Sequence, residues 1–182
     1  MTSDLEVVNV DTDIDCYSEE AIEELIGVTT LKGQAQVNGT LSAESVSGDA
    51  FAGTSSDPSN IVGLGQFKLA GASDGTILGT ASGVFNTSAD STVGDASAKS
   101  VQSLTGMGGA AGFTLDLGGN GTINAIVTDT NFVTAHSVSG NATAVASVDA
   151  IGLEGGSIHI AGNASIMSNV NVDSKAEAGT IG

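Results

Sequence analysis

The sequence predicts an all-β protein wound from repeated units, a stack resembling a β-solenoid. Three observations predict it. Six times an apolar residue leads within one to three positions into a glycine, usually followed by Asn or Asp and a small residue. The copies are Val46-Ser47-Gly48-Asp49-Ala50, Leu69-Ala70-Gly71-Ala72, Val93-Gly94-Asp95-Ala96, Leu117-Gly118-Gly119-Asn120-Gly121, Val138-Ser139-Gly140-Asn141-Ala142 and Ile160-Ala161-Gly162-Asn163-Ala164. Their lead residues step by 21 to 24 positions, and a seventh copy opens at Ile181-Gly182. Self-similarity at such a period marks units that pack on their neighbours. Second, apolar and polar residues alternate at period two through long tracts. Third, the 182 residues include 26 Gly but one Pro, no Trp, one Tyr and five Phe. Without large aromatic groups the interior must be thin, filled by Val, Ile, Leu and Ala. A hydrophobic content of 40% in strict pattern argues against disorder.

Residues 1–33 differ from the repeat domain, 34–182. The first 27 hold nine acids and no Lys. Val8, Val10, Thr12, Ile14 and Cys16 alternate with Asn9, Asp11, Asp13 and Asp15, the pattern of a strand with one acidic face. A short helix is expected next. Ser18 suits its N-cap, Glu19 and Glu20 complement its dipole, and Gly27 is placed to end it. Tyr17 can staple onto Ile22, and Ala21, Ile22, Leu25 and Ile26 form one stripe. The segment therefore reads as a docking element, with Val8, Val10, Ile14, Tyr17, Ile22, Leu25 and Ile26 carrying assembly. It is expected to dock on the end of its own array or on a neighbouring subunit.

From about Gln34 onward only strands and turns are expected. Val138, Gly140, Ala142, Ala144, Ala146 and Val148 fall on one face. Ser137, Ser139, Asn141, Thr143, Ser147 and Asp149 fall on the other, with Val145 among them. Ser42-Ala43-Glu44-Ser45-Val46-Ser47-Gly48 recurs as Thr134-Ala135-His136-Ser137-Val138-Ser139-Gly140, four periods of 23 later. Two architectures fit. In a solenoid each unit is one coil with Gly and Asn or Asp at its corners. In a meander, barrel or sandwich each unit is a hairpin turned at Gly-Asn or Gly-Asp. A hairpin at Gly162-Asn163 would strand Ile166 on the wrong face. A path that bends there without reversing keeps Ile158, Ile160, Ala164, Ile166, Val170 and Val172 together, which favours the solenoid.

The formal net charge is -17, with four Lys and no Arg, so the chain lacks the basic footprint that nucleic acid or an anionic membrane requires. Cys16 is the one cysteine, which excludes an internal disulfide; it reads as a small strand residue. No secretory signal or bilayer-spanning stretch is visible, so synthesis in the cytoplasm is expected, with an assembled particle, fibre or cell surface as the final place. Asp11, Asp13 and Asp15 are the weak candidate metal ligands. They match the first half of an EF-hand loop, but Cys16 stands where that loop needs Gly and Ile22 where it needs Glu. His136 and His159 lie one repeat apart with opposite parity, which separates them. No nucleophile elbow or phosphate-cradling loop occurs, and no Thr-x-Thr ladder beyond Thr128-Asp129-Thr130. No cofactor is expected, and the chain does not read as an enzyme.

The tracts 138–147 and 160–166 resemble the repeat-built fibre, surface and virion proteins of bacteria, marine cyanobacteria among them, and of their phages. The resemblance implies assembly: a structural protein forming a filament, fibre or virion part, with copies of itself and other structural proteins of the same assembly as partners. An adhesive or cation-binding surface module is the alternative. A polysaccharide-active enzyme ranks below both, because a solenoid groove can gather carboxylates but this chain has no Trp for sugar stacking.

Overall fold

The computed structural model describes residues 2–9, 22–26, 28–53, 59–71 and 73–180. Among them there is no helix. The strands are β1 (Thr2–Asn9), β2 (Ile22–Ile26), β3 (Val28–Ser45), β4 (Ala50–Gly53), β5 (Ser59–Leu64), β6 (Phe67–Gly71), β7 (Gly75–Ser91), β8 (Ala96–Leu117), β9 (Gly121–Ser137), β10 (Ala142–Ile160) and β11 (Ala164–Thr180). They form two sheets. One runs β1-β3-β7-β9-β11; the other runs β10-β8-β6-β2, with β4 and β5 also pairing with β8. All pairings are parallel except β1 with β3.

The turn sequence explains this arrangement. At each turn a side-chain oxygen accepts the backbone N–H of the equivalent residue one layer on. Asp49 Oδ1 accepts from Asp95 N at 2.8 Å, and Asp95 Oδ1 from Asn141 N at 2.8 Å. At the opposite end of the strands Asp74 Oδ1 accepts from Asn120 N at 2.6 Å, and Asn120 Oδ1 from Asn163 N at 2.9 Å. The partners are 46 residues apart, or 43 in the last case. Asn or Asp recurs because it supplies that acceptor. Glycine recurs because the neighbouring turn lies against it: a Cβ on Gly162 would come 2.7 Å from the Gly119 carbonyl oxygen, and one on Gly140 would overlap the Gly94 carbonyl. Gly94 also holds φ at 121°, which other residues rarely adopt. Ser91 and Ser137 Oγ donate to the Gly48 and Gly94 carbonyls at 2.7 Å, tying the turns to the strand ends.

The spacing of 46 corrects one expectation. A unit of 21 to 24 residues is one strand and one turn, and two units bring the chain back to the same sheet. The recurrence of 42–48 at 134–140 is thus two layers: Ser42 pairs with Ser88 and Ser88 with Thr134. The chain also reverses at each turn, contrary to the expected path that bends without reversing. It does so by folding one sheet over the other rather than by pairing the flanking strands. Ala96 and Ala98 at the start of β8 pack with Val133 and Ala135 at the end of β9. Leu115 and Leu117 at the end of β8 pack with Ile123 at the start of β9. The arch at 161–163 keeps parity, so Ile158 and Ile160 face the same interior as Ile123, the register partner of Ile166. The arch at 138–141 shifts it by one, which corrects the expected faces there: Ser137 is buried and Val138 is 46% exposed, while Ala142 packs inward.

The expected helix is a further correction. Ile22–Ile26 is a strand, aligned in parallel with Phe67, Leu69 and Ala70 of β6. A helix of some eight residues is marginal alone, whereas an adjacent strand edge offers paired backbone groups at once. Residues 18–21 lie outside the described residues.

The core lies between the sheets in two unequal lobes. One holds Leu31, Leu64, Phe67, Leu69, Ile77, Met107, Phe113, Leu115, Leu117 and Ile123. The Phe67 and Phe113 rings stack there at 4.9 Å. Each buried Leu or Ile contributes about 2 kcal/mol. The other lobe is thinner, built on Ile61, Ala81, Phe85, Leu104 and Val127 and then on alanines. Between the lobes the sheets pinch together at glycine. A Cβ on Gly63 would overlap the Thr80 backbone, and one on Gly106 would sit 3.1 Å from the Ile126 backbone in the facing sheet. Beyond this waist β8 carries an insertion: its partner β10 advances from Glu154 to Gly156 while β8 advances from Gly108 to Phe113. This bulge accounts for the change of spacing from 46 to 43.

Gly63→Ala is expected to cost roughly 1–3 kcal/mol, because its methyl group meets backbone that cannot step aside. Gly65→Ala should be near neutral, since the nearest atom to a Cβ there is Val62 Cγ1 at 3.9 Å. Urea unfolding of the two variants checks the contrast; equal stabilities would show that the waist is not close-packed.

Candidate functional site

Of the expected metal ligands, Asp11, Asp13 and Asp15 lie outside the described residues. So do Val10, Ile14, Cys16 and Tyr17 of the docking segment. Val8 falls in β1, aligned with Thr30 of β3, and Ile22, Leu25 and Ile26 fall in β2 beside β6. The described parts of that segment therefore line up along the protein's own sheets. Among the described residues no cluster of three or more His, Cys, Asp or Glu is arranged to hold a metal ion, and no helix is long and apolar enough to cross a membrane.

In-register stacking turns sequence positions into columns. Glu44, Asp90 and His136 stack on the outer face of the β3-β7-β9 sheet, with Gly179 next in line. Beside them Val46, Thr92 and Val138 leave a groove of about 410 Å³. His159 stacks on Asp116 in the other sheet, so the two histidines stand apart. The turn ladders use their oxygens internally. Asp74 is held below the usual carboxylate range by hydrogen bonds from the Asn120 backbone and side chain.

The unusual chemistry is inside. Ser100, Gln102, Asp129 and Asn131 form a polar layer in the thinner lobe, each no more than 1% exposed. Their burial follows from parity. Asp129 and Asn131 continue the inward positions of Val127 and Val133 on β9. Ser100 and Gln102 continue those of Ala98 and Leu104 on β8. Gly83, the register partner of Asp129, makes room for the carboxylate: a Cβ there would lie 2.6 Å from Asp129 Oδ1 and 3.3 Å from Gln102 Oε1. Gln102 Nε2 donates to Ser100 Oγ at 3.1 Å. Both Asp129 oxygens, Gln102 Oε1 and both polar atoms of the Asn131 amide have no partner within the protein.

Asp129 is the one ionisable side chain buried among the described residues from Thr30 onward. Burial without a donor disfavours its charged form and pushes its pKa up from 3.8 to about 6. Parity alone could have flagged it, as an acid on the apolar rhythm of 123–135. What parity could not supply was its partners, because Gln102 comes from the facing sheet and Gly83 from one layer away.

No family model, curated protein or solved structure matches the chain.

The raised pKa fixes the sign of one pH effect. The protonated form of Asp129 favours the folded state, so its contribution is complete below pH 3.8 and is lost as pH rises through about 6. At about 1.4 kcal/mol per pH unit across that window the loss is roughly 3 kcal/mol. In low-salt buffer, Asp129→Asn should raise stability at pH 7.5 and leave a flatter profile between pH 4 and 7. Denaturant titrations across that range check this; a wild type with the same slope as the variant would contradict it.

Proposed function

We propose that the chain is a structural, self-assembling protein built as a two-sided β-solenoid, forming a filament or a fibre of a virion or cell surface. The winding is supported by the 46-residue register, which recurs in both sheets and at both sets of turns. The strand β11 carries the assembly reading. It pairs with β9 along one edge only among the described strands. Its inward positions Ile166, Val170 and Val172 align with the buried Ile123, Val127 and Asp129, yet they are 49%, 43% and 40% exposed. An open, long, straight edge with an apolar face is a template for another strand.

The far side of the same sheet supports a head-to-tail contact. The antiparallel β1 aligns with β3 only as far as Gln36, which leaves the edge from Val37 to Ser45 without a described partner. Two different open edges on one molecule favour a heterologous interface, which propagates as a filament unless rotation closes a ring. The acidic charge suits this reading too, since it opposes indiscriminate association and leaves geometry to select the contact.

A Val170→Lys/Val172→Lys double variant should keep the far-ultraviolet spectrum of parallel β structure and lose assembly. Light scattering and negative-stain imaging of both proteins check this. Filaments or closed oligomers from the wild type alone are the expected result. A monomeric wild type, or assemblies that survive both lysines, would overturn the proposal.

A further inference from the structure

We propose that the polar layer inside the repeat is a binding site for a small alkali cation, held by the oxygens of Asp129, Asn131 and Gln102. Four acceptor oxygens there have no donor, namely Oδ1 and Oδ2 of Asp129, Oδ1 of Asn131 and Oε1 of Gln102, against one unpartnered donor, Asn131 Nδ2. All three side chains are at least 99% buried. They come from two strands in facing sheets, so the Asp129 and Gln102 oxygens converge from opposite walls, with Asn131 two residues along from Asp129 on the same wall. Gly83 and Asp129 show the convergence directly, because Asp129 Oδ1 and Gln102 Oε1 both lie within 3.3 Å of where a Gly83 Cβ would stand.

Acceptors in this excess call for a positive group. A buried carboxylate with no donor costs several kcal/mol, so its charge must be cancelled. One proton would neutralise Asp129 but could serve at most one further oxygen. Turning the Gln102 amide over would give Asp129 one N–H donor and leave the charge in place. A hard cation satisfies several oxygens at once, and carboxylate and amide oxygens are the ligands such ions prefer. The charge argues for a monovalent ion. One carboxylate cancels one positive charge, whereas a divalent ion would leave a net charge buried among Phe85, Leu104 and Val127.

The test compares thermal unfolding of the full chain in NaCl, KCl and choline chloride at equal ionic strength and pH 7.5. Choline is too large for the site. The wild type should melt about 5 °C higher in at least one alkali salt than in choline, as expected for an ion well above its dissociation constant. Asp129→Asn should lose that difference. The wild type supplies a second reading that needs no variant: the alkali ion should shrink the fall in stability between pH 4 and 7, drawing its upper end to lower pH, because ion and proton compete for one carboxylate. Equal melting in all three salts, or a pH profile indifferent to the cation, would overturn the site and leave a proton as the neutralising group. An ion-specific shift that persists in Asp129→Asn would place the ion elsewhere and equally overturn it.

Discussion

Parallel stacking in register is enforced twice over in this protein, once along the strands and once at the turns. Backbone hydrogen bonds alone would tolerate a slip of two residues, since inward and outward parity would survive it. The turns do not tolerate it. Asp49, Asp95 and Asn141 form one rail and Asp74, Asn120 and Asn163 another, in which the side chains of Asp49, Asp95, Asp74 and Asn120 grip the backbone of the layer beyond. Glycines at 94, 140 and 162 let those layers approach closely enough for the grip. The repeated turn motif is therefore a register device, and the rest of the architecture depends on the register it sets.

With register fixed, each column acquires one environment. The columns through Ile77 and Ile123 fill the thick lobe, and those through Ala89 and Ala135 allow the thin one. Gly63 and Gly106 draw the sheets together between them. A column can also collect a liability. Gly83 stacks on Asp129 and Phe85 on Asn131, so the space one layer gives up is taken by polar groups of the next. The glycine-rich insertion after Met107 shows how the stack absorbs irregularity. It bulges in β8 while Phe113 re-enters register against Phe67, and the strands beyond remain parallel.

Much of this was legible in the sequence. Period-two alternation identified the strands, and the outward Thr143, Ser147 and Asp149 of β10 fall as the parity requires. The spacing of the glycine motif located the turns. The number of units per layer was not legible, because strands of equal length and parity occupy both sheets and nothing local tells one sheet from the other. The arch was missed for a related reason. A turn that folds a strand over its neighbour leaves the same local signature as a hairpin or as a bend without reversal. The N-terminal helix failed because Ser18, Glu19 and Gly27 satisfy local capping rules, while the pairing of Ile22–Ile26 with β6 depends on a strand some 45 residues away in sequence. Asp129 was hidden because Thr128 and Thr130 flank it, and its inward face is defined by a sheet far away in sequence.

The assembly reading and the interior site both inherit this geometry, since each depends on which residues share a column. Spin labels on Ser82→Cys and Thr128→Cys, in a Cys16→Ser background, test it most directly. These positions are register partners on the outer face of adjacent strands β7 and β9. Parallel neighbours place their backbones about 4.8 Å apart. The account predicts strong dipolar broadening of the doubly labelled protein relative to either single label. Spectra that superimpose on the sum of the single labels would contradict it.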